Sequence, residues 1–122
     1  AILEAAYNDA QGVTAEFNRN LLRRINRELA GDFRLDAFQH VATYDVAKGR
    51  IEISLRSLCD QVVSISGKTI IFTKNELICT EHSHKYTVSG FSRLAAKAGL
   101  TLRKQWMDDE EHFAVLHFAV LD

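Results

Sequence analysis

Apolar positions along the chain change their spacing twice, and the changes mark out its elements. Residues 2–7 read as the end of a short helix, stopped by the turn-forming Asn8, Asp9 and Gly12. Phe17, Leu21, Ile25 and Leu29 then recur every four residues. They predict a second helix with Thr14 as its N-cap and Gly31 in the left-handed conformation just past its end. Residues 35–38 predict one further helical turn. From there the period falls to two, as half-buried strands require, and predicts strands near residues 40–44, 50–58, 61–66, 69–72 and 77–82. Ala47-Lys48-Gly49 and Ser66-Gly67-Lys68 are the turns, and the gaps are too short for crossover helices, so pairing should be mostly antiparallel. In the last third, Val88, Phe91, Leu94, Ala95 and Ala98 form a helical stripe closed by Gly99, followed by strands near residues 102–106 and 112–120. The fold class expected is therefore α+β, an antiparallel β-rich domain with flanking helices. No repeat, low-complexity tract or proline interrupts the chain, so one domain without an internal boundary is expected.

Composition narrows the function classes. A chain of 122 residues, 47% hydrophobic and 25% charged, is enough for a single core of ordinary globular type, and its apolar runs are too short to span a bilayer. No membrane partner is expected. The net charge of -1 leaves no basic excess for a phosphate backbone, and Arg19, Arg23, Arg24 and Arg27 are offset by Glu16, Glu28 and Asp32, which argues against nucleic acid as a partner. Two cysteines, Cys59 and Cys79, allow at most one bridge, and no secretion signal precedes them; a reducing cytoplasm with buried structural thiols is the expectation. The chain opens at Ala1 inside an amphipathic helix without an initiator Met, as a piece of a longer protein would.

The densest chemistry lies at Cys79-Thr80-Glu81-His82-Ser83-His84-Lys85-Tyr86. Strict strand alternation sends His82 and His84 to one face and Cys79, Glu81 and Ser83 to the other, dividing a Cys-His-His zinc set. With no second cluster to complete four ligands, no metal is expected. The same alternation sets Glu81 beside Ser83, an acceptor and a donor/acceptor able to hold a small cationic or N–H-bearing group. An ordinary polar strand face explains the pair as well, and the residues alone favour that. Tyr7, before a turn, is either a packed ring with a wet tip or a hydroxyl reaching a cleft. Thr14 is a cap, although a helix amino terminus can also hold a carboxylate. Ile51, Ile53 and Leu55 share a face that lines a core or a pocket. The run Asp108-Asp109-Glu110-Glu111 reads as a solvated hairpin tip, and the glycines make no nucleotide fingerprint.

Four blocks carry a resemblance: AYNDAQGVTAEFNRNLLRRINREL at residues 6–29, DFRLDAFQH at 32–40, RIEISL at 50–55 and TEHSHKY at 80–86. In this order they are similar to the histidine-specific, S-adenosylmethionine-dependent methyltransferases, a family whose activity includes trimethylation of histidine to hercynine in ergothioneine biosynthesis. The final helix with Ala98-Gly99-Leu100, Trp106 and Phe113 resembles the terminal helix and strand pair of a class I (Rossmann-like) methyltransferase. The resemblance implies the carboxy-terminal, substrate-binding portion of a larger enzyme whose cofactor-binding half is absent, so that these residues alone are inactive. It implies an amino-acid ligand, S-adenosylmethionine bound elsewhere, no metal, and no catalytic residue within this stretch. Tyr7 would bond the histidine carboxylate, Thr14 would line the site near the amino-acid backbone, and Glu81 with Ser83 would read the imidazole nitrogens. That outweighs the ordinary reading of the pair. Ile53 stands where the hercynine-forming enzyme has a methionine beside the ligand, and its branched side chain would reshape that wall. A non-catalytic amino-acid-binding domain and a member acting on another amino acid are the alternatives.

Overall fold

The computed structural model of the chain describes residues 2–121; Ala1, read as lying inside the opening helix, is outside them. Contacts divide the chain into two compact units, the first ending at Lys85 and the second starting at Tyr86. The sequence marks no such boundary because a strand runs directly into the next helix through polar residues, with no Pro- or Gly-rich linker between them.

In the first unit, helices α1 (Ile2–Tyr7) and α2 (Val13–Glu28) precede a 3-10 turn (Leu35–Ala37) and strands β1 (Phe38–Asp45), β2 (Arg50–Ser57), β3 (Gln61–Ile65), β4 (Lys68–Phe72) and β5 (Leu77–His84). All pairings are antiparallel, as the short gaps require. The chain does not form a simple meander, however: β5 skips β4 and pairs with β2, giving a three-stranded sheet in the order β1-β2-β5 beside a separate β3-β4 hairpin. Phe38 and Leu55 on the sheet, Val63 and Phe72 on the hairpin, Leu22 of α2, Phe33 and Ala37 make one core. Three of its rings pack together, with centroids 5.5 Å apart for Phe33–Phe38 and for Phe38–Phe72. Ala42, Ile51 and Ile53 make a second, smaller core onto which Leu3, Tyr7 and Tyr44 pack.

Helix α2 corrects two expectations. Its N-cap is Gly12, at φ 72°, and Thr14 lies inside the helix. The left-handed residue after it is Ala30 (φ 51°), not Gly31. Gly31 is required for closeness instead, because a Cβ there would sit 2.9 Å from Asn26 Oδ1. The face turned to the sheet is built on Asn18 and Leu22, while Phe17 is 73% exposed. A four-residue step advances 400°, so a stripe of such steps drifts about 40° each time: Phe17 and Leu21 lie off the buried face, and Ile25 reaches it.

The register between β2 and β5 shifts once. Ile53 pairs with Glu81 but Ser54 pairs with Cys79, leaving Thr80 as an extra, bulged residue. The bulge changes the phase of β5. Ile78, opposite Leu55, therefore faces the same side as Glu81 and Ser83, opposite Ile53 and Ile51. Cys79 passes to the other side with His82. The expected grouping of Cys79 with Glu81 and Ser83 is thus wrong, because alternation holds only within each half of the strand.

In the second unit, helix α3 (Val88–Lys97) is followed by an antiparallel pair, β6 (Leu100–Met107) and β7 (Ala114–Val120). Thr87 caps α3 by accepting a hydrogen bond from the Gly90 N–H at 3.0 Å, and Gly99 leaves it at φ 81°. Phe91 stacks between Tyr86 and Phe118, at 5.2 and 5.7 Å between centroids.

Candidate functional site

The first unit brings Tyr7, Ser83 and Lys85 together across a large gap in sequence. Helix α1 is held on β1 by Asn8 Nδ2, which donates to the Ala42 carbonyl at 2.9 Å, and by the Glu4 carboxylate, which accepts from the Tyr44 N–H at 3.0 Å. The last residue of that helix, Tyr7, lays its ring on the Ala42–Ile51–Ile53 core and puts its hydroxyl 3.0 Å from Ser83 Oγ. Lys85 Nζ donates to the Tyr7 hydroxyl and, at 2.9 Å, to Ser83 Oγ, and stands 4.6 Å from the Tyr7 ring centre. The hydrogen bond from Lys85, followed by the one from Ser83, holds the Tyr7 phenol below its ordinary pKa; burial and the Glu81 carboxylate oppose this.

Behind Tyr7 lies a polar network that apolar periodicity could not reveal. Asn18, 5% exposed, donates through Nδ2 to the Ser54 carbonyl at 3.0 Å and to His40 Nδ1 at 2.9 Å. His40 Nδ1 is therefore the acceptor, and Nε2 carries the proton donated to the Tyr7 carbonyl at 2.7 Å. On its other side, Asn18 Oδ1 accepts from the Thr80 hydroxyl at 2.7 Å. One buried amide thus ties the end of α1, through His40, to the bulge that turns Glu81 and Ser83 toward the helices.

Next to this network opens a cleft of about 300 Å³, lined among others by Thr14, Phe17, Leu21, Ile53 and Glu81. Its volume is at the lower end for small-molecule sites. Phe17 and Leu21, two of the apolar residues that recur every four positions, are wall residues here. Glu81 is exposed at the rim and Ile53, 4% exposed, is the floor. Thr14 reaches the cleft, but its N–H and that of Val13 already donate to the Asp9 carboxylate, at 3.1 and 2.9 Å. Those bonds, Val13 first, lower the Asp9 pKa. The helix end is thus capped by Asp9 and is not open to a ligand carboxylate.

The remaining candidates divide differently. Cys79 and His82 share the opposite face of the sheet, with Sγ 3.3 Å from Nε2, and His82 Nε2 lies 3.7 Å from Glu52 Oε2. Among the described residues, no group of three or more His, Cys, Asp or Glu side chains is arranged to hold a metal ion. Both cysteines are free, and Cys79 is exposed where a buried thiol was expected. Asp108 organises the β6–β7 turn by accepting from the Phe113 N–H at 3.0 Å. No described helix is long and apolar enough to cross a membrane.

Of the expected site residues, Tyr7 and Ser83 are brought into direct contact, while Glu81, Ile53 and Thr14 line the adjoining cleft. Sequence reasoning missed Lys85, Asn18 and His40. Lys85 had a signal, since it continues the odd-numbered face of Glu81 and Ser83 one step past the strand.

Residues 1–120 match the model of a family described as histidine-specific methyltransferase, SAM-dependent. The chain is 43% identical over 117 residues to a histidine N-alpha-methyltransferase of Mycobacterium tuberculosis, covering 94% of this chain and 36% of that protein. It is 41% identical over 115 residues to the enzyme of the same name from Mycolicibacterium smegmatis, covering 93% and 36%. The chain thus spans about a third of the length of these curated relatives.

Proposed function

Because the chain belongs to the histidine-specific, S-adenosylmethionine-dependent methyltransferase family, we propose that it is the substrate-binding portion of an amino-acid N-methyltransferase, holding histidine for trimethylation of its α-nitrogen to hercynine. Ergothioneine biosynthesis is the pathway this would serve. The observation that carries the reading is the pairing on one sheet face of an acceptor, Glu81, with the Tyr7–Ser83–Lys85 donor group. Glu81 and Ser83 are alternate residues on one strand face, so both can read the nitrogens of one imidazole while the Tyr7 hydroxyl takes the carboxylate.

S-adenosylmethionine supplies an electrophilic methyl group to such a reaction. The described strands pair only antiparallel, so these residues do not fit the crevice at the carboxyl ends of parallel strands in which such cofactors lie. We assign the cofactor to residues beyond this stretch, and 1–122 alone to an inactive segment. In this reading α3, β6 and β7 are the closing elements of a Rossmann-like sheet. The contribution of Tyr7, Glu81 and Ser83 is orientation: a deprotonated amine fixed at both ends of its molecule presents its lone pair in one direction, which lowers the entropic part of the barrier. Thr14 and Ile53 shape the wall beside it.

A methyl-transfer assay of the full-length protein with S-adenosylmethionine and a panel of amino acids tests this. We expect trimethylated histidine and, for Glu81→Ala, a KM raised roughly ten- to hundredfold, the worth of a hydrogen bond to a charged group. Ile53 on the cleft floor supports a second reading, a family member with another amino acid as substrate. Turnover of that amino acid and not histidine would establish it, and no turnover at all would leave an amino-acid-binding domain.

A further inference from the structure

We propose that His40 is a positioning residue of this site: a neutral imidazole, protonated on Nε2, that sets the end of helix α1 against the bulged strand carrying Glu81. The inference rests on the amino-acid reading above and concerns how the site is held together rather than which ligand group it meets.

Helix α1 has six residues, too few to be stable by itself, so its place is set by its anchors. Asn8 and Glu4 fasten it to the backbone of β1. The third anchor is of another kind. Tyr7 ends the helix, where a carbonyl has no partner along the helix itself, and His40 Nε2 supplies one at 2.7 Å. Behind His40 stands the Asn18 amide at 2.9 Å, and behind Asn18 the Thr80 hydroxyl at 2.7 Å. One imidazole thereby joins the end of α1 to the bulge of β5, two parts of the site that are distant in sequence.

The direction of each bond follows from one group that cannot change. The Ser54 carbonyl can only accept, so the Asn18 amide must turn Nδ2 toward it, at 3.0 Å. The same Nδ2 meets His40 Nδ1, which leaves the ring proton on Nε2, facing the Tyr7 carbonyl. Reversing the amide would set two oxygens against each other at Ser54. A second proton on the ring would have to enter at Nδ1, and there it would set donor against donor. The two partners of the ring, an amide and a carbonyl, bring no negative charge to hold an imidazolium. His40 is half-buried, so such a proton can reach it. The titratable and charged groups on the elements packed around it are Glu4 and Tyr7 of α1, Arg19 of α2 with its ion-pair partner Glu16, Tyr44 of β1, and Glu81 with Lys85 of β5. Strand β2 sets Leu55 opposite His40, with Glu52 and Arg56 on the far side of the sheet. The network is thus complete only while His40 is neutral.

The test is steady-state methyl transfer to histidine by the full-length protein, followed from about pH 8 down to about pH 5, the interval in which an imidazole gains its proton. His40→Asn keeps an acceptor for Asn18 but falls short of the Tyr7 carbonyl. It should raise KM roughly tenfold, the worth of one hydrogen bond, while kcat changes by less than about threefold. His40→Gln reaches that carbonyl with an amide N–H that does not titrate, and should restore most of the affinity. Dividing the wild-type KM by the His40→Gln value at each pH cancels the titration of histidine itself, and the quotient should rise on acidification. A flat quotient, or equal losses in the two variants, would overturn the role of His40 while leaving the amino-acid reading standing. Failure of the wild-type protein to methylate histidine would overturn both. Should neither variant fold, imidazole nitrogen NMR of the wild type decides: the protected Nε2 proton of His40 and the affinity for histidine must disappear together as the pH falls, and either one outlasting the other sinks the proposal.

Discussion

The two units treat their apolar residues in opposite ways. Up to Lys85, Leu22, Phe38, Ile51, Leu55 and Val63 are fully buried, and a polar network threads between the two cores they belong to. From Tyr86 onward, Ala95 is the buried apolar residue among those described, while Trp106, Phe113, Val115 and Val120 are exposed. The first arrangement fixes side chains from several directions at once, as a ligand site requires. The second is a helix and hairpin whose geometry rests on local capping and strand pairing. It teaches why the candidate chemistry collects in one unit: a side chain can be aimed only where its neighbours over-determine its position.

The contrast can be broken most sharply by truncation. Phe38→Ala removes the centre of the three-ring cluster and should cost about 3–5 kcal/mol in denaturant unfolding, against no more than about 1 kcal/mol for the half-exposed Trp106→Ala. Equal costs would show that the second unit has a core of its own. Asn18→Ala comes next. It leaves the Ser54 carbonyl and His40 Nδ1 short of a donor, while the Thr80 hydroxyl keeps the Ile53 carbonyl as an acceptor at 3.1 Å, and should cost about 2–3 kcal/mol. If the network positions the site, the same substitution also raises KM for histidine more than it changes kcat in the full-length protein; a change confined to stability would make it only a packing element.

The smallest effect concerns the cap of α2. Since the folded pKa of Asp9 is depressed, its contribution is present above the unfolded value, near 3.8, and is lost as pH falls through the folded one. The stability difference between the wild type and Asp9→Asn should therefore be present at neutral pH and shrink on acidification. A difference that stays constant into strong acid would mean that the carboxylate charge is not what caps the helix.

Much of the first unit was legible because its strands alternate and its turns carry glycine. Ile2–Tyr7, the 3-10 turn and all seven strands stand near their expected places. Failures arose where a polar residue does the work of an apolar one or where a period changes phase. Asn18 occupies a core position that no hydrophobicity pattern would choose. Gly31 is small to clear Asn26, which is a tertiary reason, while Ala30 takes the left-handed turn. Strand alternation set Glu81 beside Ser83, and the resemblance added Tyr7, but the contact between Tyr7 and Ser83 spans 76 positions and has no local signature. Neither does the unit boundary after Lys85.

The bulge at Thr80 also bears on engineering. A designer wishing to move the Glu81–Ser83 pair into another scaffold could not copy it as a plain alternating strand. Without the inserted residue, Ile78 and the two polar side chains would point to opposite sides, and the graft would gain a binding edge by losing its foothold in the host. Thr80 and a partner for its hydroxyl must travel with them. The smallest portable version of this element is therefore not a strand but the pair of β2 and β5, which supplies the Ile53 carbonyl, together with the turn of helix that bears Asn18.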